Sequence, residues 1–399
     1  MGTVTLNIKL SDRVQRIKPS PTLSVTARAN ALKAAGKDVI GLGAGEPDFD
    51  TPDHIKQAAS RAMEAGMTKY TAVDGTAELK QAVINKFKKD NGLDYSPAQV
   101  LVSCGGKQSF YNLCQALLNE GDEAVIPAPY WVSYPDMVLL ADATPVFIET
   151  GIDQQFKISP AQLKAALGPK TRLVVINSPS NPSGMAYTKA ELAALGAVLR
   201  DYPEVLVATD DMYEHILWAD EPFSNILNAC PDLYDRTIVL NGVSKAYSMT
   251  GWRIGYAAGP ETLIKAMKKI QSQSTSNPAS ISQAAAQAAL EGDQKCITEM
   301  LQAFKTRHDR VVEWLNAIEG IHCLPGNGTF YAFPDVHGLI ARLDGIKADV
   351  ELAEYILEHA GVALVPGSAF GSPGYMRLSY ATSMENLEGA LDRIEKLTG

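Results

Sequence analysis

Short uninterrupted apolar runs alternate along this chain with stretches in which apolar residues recur every three or four positions. The runs at 100–103, 123–127, 144–148, 173–177, 206–209, 237–240 and 254–258 predict strands. Several lack polar alternation, as expected of strands covered on both faces. Helical-period stretches separate most of them, so the expected fold class is α/β, a mainly parallel central sheet with helices on both faces and right-handed crossovers. Thr51-Pro52-Asp53 reads as a helix start, with Thr51 as N-cap and proline in the first turn, ahead of Ile55, Ala58, Ala59 and Ala62. Thr382-Ser383-Met384-Glu385 reads as a capping box before Leu387, Leu391, Ile394 and Leu397 on one face. A long charged helix over 294–319 precedes a hairpin-like pair, 321–323 with 330–333. Strand density is low before residue 50 and changes style after 295. The expected organisation is therefore a large domain over 51–290 and a smaller α+β domain formed by 1–50 and 291–399.

Composition removes several classes of function. A length of 399 residues allows two domains, and a net charge of -9 argues against a nucleic-acid partner. The five cysteines are odd in number without C-x-x-C pairing, and the six histidines show no ligand spacing, so neither a disulfide framework nor a metal site is expected. Residues 1–17 lack the apolar core of a signal peptide, and Leu6 stands where a myristoylation motif on Gly2 needs Ser or Thr. With no apolar run approaching a membrane span, a cytoplasmic protein is expected.

In open α/β sheets, polar groups just past the C-terminal ends of strands line the site. Four such places stand out. Cys104-Gly105-Gly106-Lys107 opens a helix, where free N–H groups and the dipole favour a phosphate, although a plain tight turn reads the same way. Asn177-Ser178-Pro179-Ser180-Asn181-Pro182 sets a rigid polar loop. Asp210 follows a buried strand and needs a cationic partner, with Tyr213 three residues on. In residues 241–256, Lys245 and Arg253 stand among small residues; a lysine under apolar neighbours is disfavoured as a cation and can attack a carbonyl. Read alone, Lys245 is equally a surface lysine on a Gly-rich turn. Anion cradle, acid, tyrosine, asparagine and imine-forming lysine together are what pyridoxal phosphate requires.

With Lys18-Pro19-Ser20-Pro21-Thr22, Gly43-Ala44-Gly45-Glu46-Pro47-Asp48-Phe49, Lys69-Tyr70, Pro129-Tyr130-Trp131, Asn181-Pro182-Ser183-Gly184 and Arg377-Leu378-Ser379-Tyr380 in the same order, the chain resembles the fold-type I pyridoxal-phosphate aminotransferases, specifically the bacterial aspartate aminotransferase subgroup Iβ related to aspartate/prephenate aminotransferases. The resemblance covers nearly the whole chain. It implies that Lys245 holds the cofactor aldehyde and, once displaced by substrate, moves the proton from Cα. It implies that Asp210 pairs with the pyridinium nitrogen and that Tyr213 and Asn181 bond the phenolate oxygen. Gly106, Lys107, Ser244, Arg253 and the Tyr70 of a second subunit would contact the phosphate, and Trp131 would stack on the ring. Arg377, Gly45 and Asn181 would bind the substrate α-carboxylate. The animal and enteric relatives use a partner arginine for the side-chain carboxylate, but residues 271–278 contain none. Lys107 and Lys18, with Thr22 near the entrance, are expected to select acidic substrates instead.

The implied reaction is transamination between L-aspartate and 2-oxoglutarate, extended to prephenate giving L-arogenate, by a homodimer with shared sites. An aromatic, alanine or kynurenine aminotransferase is the alternative within the fold, and a β-eliminating lyase another. A pyridoxal-phosphate transcription regulator would need a DNA-binding module ahead of motifs that here begin within twenty-two residues. A dinucleotide fingerprint at 41–45 is disfavoured because Glu46 replaces its third glycine and Pro47 interrupts the helix. On their own, Trp131 reads as core, Arg377 as half of an ion pair and Cys104 as a small packed residue.

Overall fold

The structure, a computed structural model, describes residues 8–399; Gly2 and Leu6 lie outside the described residues. Its strands are β1 (Ile40–Gly41), β2 (Val100–Ser103), β3 (Glu123–Pro127), β4 (Thr144–Ile148), β5 (Thr171–Asn177), β6 (Leu206–Asp210), β7 (Thr237–Gly242), β8 (Gly255–Ala258), β9 (Tyr331–Ala332), β10 (Val362–Ala363), β11 (Val365–Pro366) and β12 (Met376–Ser379). The seven runs expected as strands form one sheet, in the order β2-β8-β7-β6-β5-β3-β4. Strands β3 to β7 pair in parallel, and β8 runs antiparallel between β7 and β2. Because β2 is reversed twice relative to β7, the C-terminal ends of β2, β5, β6 and β7 share one sheet edge.

The lack of polar alternation has a direct structural cause. Val100, Val102, Val174, Ile176, Val207 and Val239 face one apolar core. Their neighbours Leu101, Leu173, Val175, Ala208, Ile238 and Leu240 face a second core on the other side. Pleating sends successive side chains to opposite faces, so both faces must be apolar where helices cover both.

A third core draws on both ends of the chain: Leu42 packs with Phe304, Val311, Phe330, Leu352, Leu378 and Leu391. Parallel pairing of Ile40 with Val362 and Gly41 with Ala363 ties the two ends together. The expected hairpin is largely absent. His322 and Asp335 make a single bridge, while β9 pairs with β12 in the sheet β11-β12-β9. The intervening backbone is taken by other partners: Asn327 N–H donates to Gly184 C=O, Trp218 N–H to Asn327 C=O and Thr329 N–H to Ile216 C=O.

Both expected caps shift by one residue. Thr51 does not cap the helix Asp53–Glu64, whose N-cap is Pro52. Its hydroxyl donates to Ser248 C=O at 2.7 Å and accepts from Trp252 Nε1 at 2.9 Å, bonds that hold this segment to the Lys245 loop. Ser383 rather than Thr382 caps the helix Met384–Thr398, accepting from Asn386 N–H. The long helix spans Lys295–Ala317. Among the described residues no helix is long and apolar enough to cross a membrane.

Candidate active site

A cavity of about 410 Å³ opens at the sheet edge where β2, β5, β6 and β7 end. On one side Gly105, with φ +83°, turns the chain from β2 into the helix Gly106–Leu117. The N–H groups of Gln108 and Ser109 fold back onto Gly105 C=O, leaving those of Gly106 and Lys107 without a backbone acceptor. Arg253 closes this cradle: its backbone is left-handed, and its guanidinium donates to Thr250 C=O at 2.9 Å. A Cβ on Gly105 would stand 2.5 Å from Arg253 Nη2, so glycine is what allows the close approach. Ser244 lines the same cavity.

Asp210 ends β6. Its carboxylate accepts from Tyr134 Oη at 2.5 Å and from Met212 N–H at 3.3 Å. Burial raises its pKa, and the Tyr134 and Met212 bonds with the Lys245 charge only partly oppose this. A cation brought to this carboxylate would restore its charged form. Asn177 braces the same strand end by donating to Asp210 C=O at 2.9 Å and accepting from Asn181 N–H at 2.9 Å. The buried Tyr213 hydroxyl shares a bond with Tyr331 Oη at 3.1 Å.

Lys245 reaches the cavity from the loop after β7, its Nζ donating to Gly45 C=O at 2.6 Å. Burial, with repulsion from Arg377 and Arg253, outweighs Glu46 and Asp210 and lowers its pKa to about 8. The neutral, nucleophilic amine is therefore far more populated near neutrality than that of an ordinary lysine.

Arg377 on β12 is 2% exposed. It donates to Asn181 Oδ1 at 3.0 Å and to Gly43 C=O at 2.7 Å. Its guanidinium lies 4.4 Å from the Tyr331 ring centroid and 4.9 Å from that of Phe370. Its Nε is buried with no partner, and no carboxylate among the described residues pairs with it. Such a charge calls for an external anion. Trp131 meets Tyr134 edge-on at 5.2 Å and lies under Lys107 Nζ at 5.3 Å. Burial and then Arg253 lower the Lys107 pKa.

Two expected residues stand apart. Tyr70 is 91% exposed, beside a separate surface cavity with Asn277 and Ser280. Lys18 is exposed outside the cavity wall, its backbone N–H directed at Asp136, so a role for it inside the pocket is not supported; Thr22 does line the cavity. Sequence reasoning missed Tyr134, Tyr331, Asn177 and Glu46, the last accepting from Thr250 Oγ1 at 2.8 Å. Glu46 stands inside a motif that carries the resemblance and Tyr134 three residues beyond another, but their partners Thr250 and Asp210 are distant in sequence.

Residues 37–394 match the family described as aminotransferase class I and II. The chain belongs to this family. The aspartate/prephenate aminotransferase of Nitrosomonas europaea is 63% identical over 98% of this chain and 100% of that protein. The aspartate aminotransferase of Geobacillus stearothermophilus is 51% identical over 98% of each. Among solved structures, the aspartate aminotransferase from Rhizobium meliloti superposes with a TM-score of 0.95 at 48% identity, covering 98% of this chain and 99% of that one. The Thermus thermophilus aspartate aminotransferase with maleate gives 0.92 at 42% identity, covering 98% and 100%.

Aminotransferases of this family use pyridoxal phosphate, and the residues of this chain fit that group. The free N–H groups at Gly106 and Lys107, with Arg253, suit a phosphate; the desolvated Asp210 suits a pyridinium; and the low-pKa amine of Lys245 suits an aldehyde.

Proposed function

We propose that this aminotransferase exchanges an amino group between L-aspartate and 2-oxoglutarate, giving oxaloacetate and L-glutamate, and also converts prephenate to L-arogenate. Pyridoxal phosphate, when bound, supplies the electron sink for charge left at Cα. The remaining work falls to the chain's side chains. Arg377 and Asn181 bind the α-carboxylate, which the planar guanidinium of Arg377 can meet bidentately. Lys245 removes the proton at Cα. Asp210, aligned by Tyr134, would pair with the pyridinium nitrogen, Tyr213 and Asn181 would bond the ring oxygen, and Trp131 would stack on the ring.

The observation that carries acidic specificity is a further cation, Lys107, in the same cavity as the unpaired Arg377. A lysine is a flexible point charge suited to dicarboxylates of different length. The names of the close relatives agree, as does the dicarboxylate held by the Thermus protein. Lys18 stands outside the cavity, so this role falls to Lys107 alone. Tyr70, exposed here, belongs in the site of a second copy, making the protein a homodimer in the cytoplasm. The division proposed is a large domain over 51–290 and a small one from 1–50 and 291–399.

The test is the visible spectrum of the cofactor-loaded protein with single substrates. L-Aspartate should bleach the lysine-bound band, and 2-oxoglutarate or prephenate should each restore it. Lys107→Ala should lower the aspartate-to-alanine rate ratio by about 10-fold or more, the scale of one charged contact. An unchanged ratio, or a band answering only alanine, kynurenine or an aromatic amino acid, would remove the acidic specificity.

A further inference from the structure

Asp210 ends β6 and Tyr213 stands on the loop that follows it, while Lys245 stands on the loop after β7. The backbone joins the two where Asp211 N–H donates to Leu240 C=O at 2.9 Å. A buried polar cluster outside the cavity wall adds a second join. Glu214, next to Tyr213, pairs with the Lys86 ammonium. Its Oε1 accepts from Asn241 Nδ2 at 2.7 Å and its Oε2 from Asn91 Nδ2 at 2.8 Å. Lys86 Nζ also donates to Asn91 Oδ1 at 2.7 Å. Asn241, four residues before Lys245, accepts at Oδ1 from Gly242 N–H at 2.7 Å. Glu214, Lys86, Asn91 and Asn241 are all buried.

Burial alone would raise the Glu214 carboxyl; Lys86, His215 and Asn91 outweigh it and hold the pKa low. Asp90 lies 3.8 Å from Lys86 and 3.4 Å from His215, which is 3.5 Å from Glu214. Asp211 is pushed up to about 7 by burial and by the Glu214 charge. An ammonium already stands among these acids, so the group is an ion-pair network and not a cation site.

We propose that Glu214, with Lys86 as counter-ion, is a positioning residue: through Asn241 it sets the spacing between the end of β6 with its Tyr213 loop and the loop of Lys245. The inference rests on the assignment of Lys245 as the reactive amine. A buried ion pair adds little stability over apolar residues of similar volume, but directional bonds between the loop after β6 and the end of β7 fix geometry. The main charges acting on Lys245 are Glu46, Arg377, Arg253 and Asp210. A change at Lys245 on replacing Glu214 therefore reports displacement rather than a lost field.

Competitive acylation of Lys245 in the cofactor-free full chain, read by peptide mass spectrometry across pH, gives the midpoint of this amine without turnover. The variants are Lys86→Met/Glu214→Leu, which removes both buried charges together, and Asn241→Ala, which keeps the ion pair. The double variant should keep a urea midpoint near the parent's, Asn241→Ala should lower it because Glu214 and Gly242 N–H each lose a bond, and in both the Lys245 midpoint should move by roughly half a pH unit or more. Cofactor affinity should fall about 10-fold, as expected for misplaced binding groups. Lys245 midpoints equal to the parent's in the folded variants overturn the positioning role, whether or not the urea midpoint drops. Should the double variant not fold, Asn241→Ala decides. A parent that forms no covalent link at Lys245 removes the functional assignment instead, and the acylation midpoints still settle the spacing.

Discussion

Replacing Arg377 by methionine separates what this side chain does for the fold from what it does for a ligand. The guanidinium is buried, stacked between Tyr331 and Phe370, and bonded to two neutral acceptors. A substrate carboxylate adds two charge-assisted bonds, each worth about 1.5–3 kcal/mol. Losing both costs about 3–6 kcal/mol, roughly 10²- to 10⁴-fold in kcat/KM for aspartate. Without ligand the balance is different. Methionine orphans Asn181 Oδ1 and Gly43 C=O at about 1–3 kcal/mol each, but it relieves several kcal/mol of uncompensated desolvation. Stability of the ligand-free protein should therefore change by less than about 2 kcal/mol. The assays are stopped-flow bleaching by aspartate and urea unfolding with and without maleate, whose stabilisation of the parent should vanish in the variant. A fall in kcat/KM below 10-fold, or a ligand-free loss above about 4 kcal/mol, would make Arg377 a structural pillar and refute the carboxylate role.

Three further outcomes are expected. In cofactor-free protein, Lys245 should acylate with a midpoint near pH 8; its folded pKa lies below the unfolded value, so its burial penalty is fully present below pH 8 and is relieved as pH rises toward the unfolded pKa, and urea midpoints compared with Lys245→Met should show that sign. Tyr134→Phe removes the donor to Asp210; the loss of about 1–3 kcal/mol should cut kcat about 5- to 100-fold and weaken cofactor binding measured by equilibrium dialysis. Gly105→Ala places a Cβ 2.5 Å from Arg253 Nη2 at a φ of +83°; Arg253 must swing away, and affinity for pyridoxal phosphate should fall at least as much as in Arg253→Ala, whereas an unchanged affinity would show that Arg253 does not serve the cradle.

The strands of the large sheet were legible because burial on both faces leaves an unbroken apolar run, as at 237–240. Their spatial order was not, since placing β8 antiparallel between β2 and β7 depends on long crossovers that no local pattern encodes. The same contrast holds in the site. Asp210, Asn181 and Lys245 stand at or just past strand ends, so position in the chain points to them. Tyr134 is buried on a helix and reads as core; only its bond to Asp210, 76 residues away, reveals its place. Tyr331 was read as part of a hairpin, and its stacking on Arg377 needs β9 and β12 as neighbours. Thr51 misled because a threonine before Pro-Asp is a good cap by local rules, yet its hydroxyl is taken by Ser248 and Trp252 across the fold.

The most direct measurement loads the protein with pyridoxal phosphate, reduces it with borohydride and maps the label by peptide mass spectrometry. The pyridoxyl group should be fixed on Lys245, and prior addition of L-aspartate should abolish the labelling. Label on another lysine, or none after full reconstitution, would contradict the assignment of Lys245 as the reactive amine and the chemistry built on it.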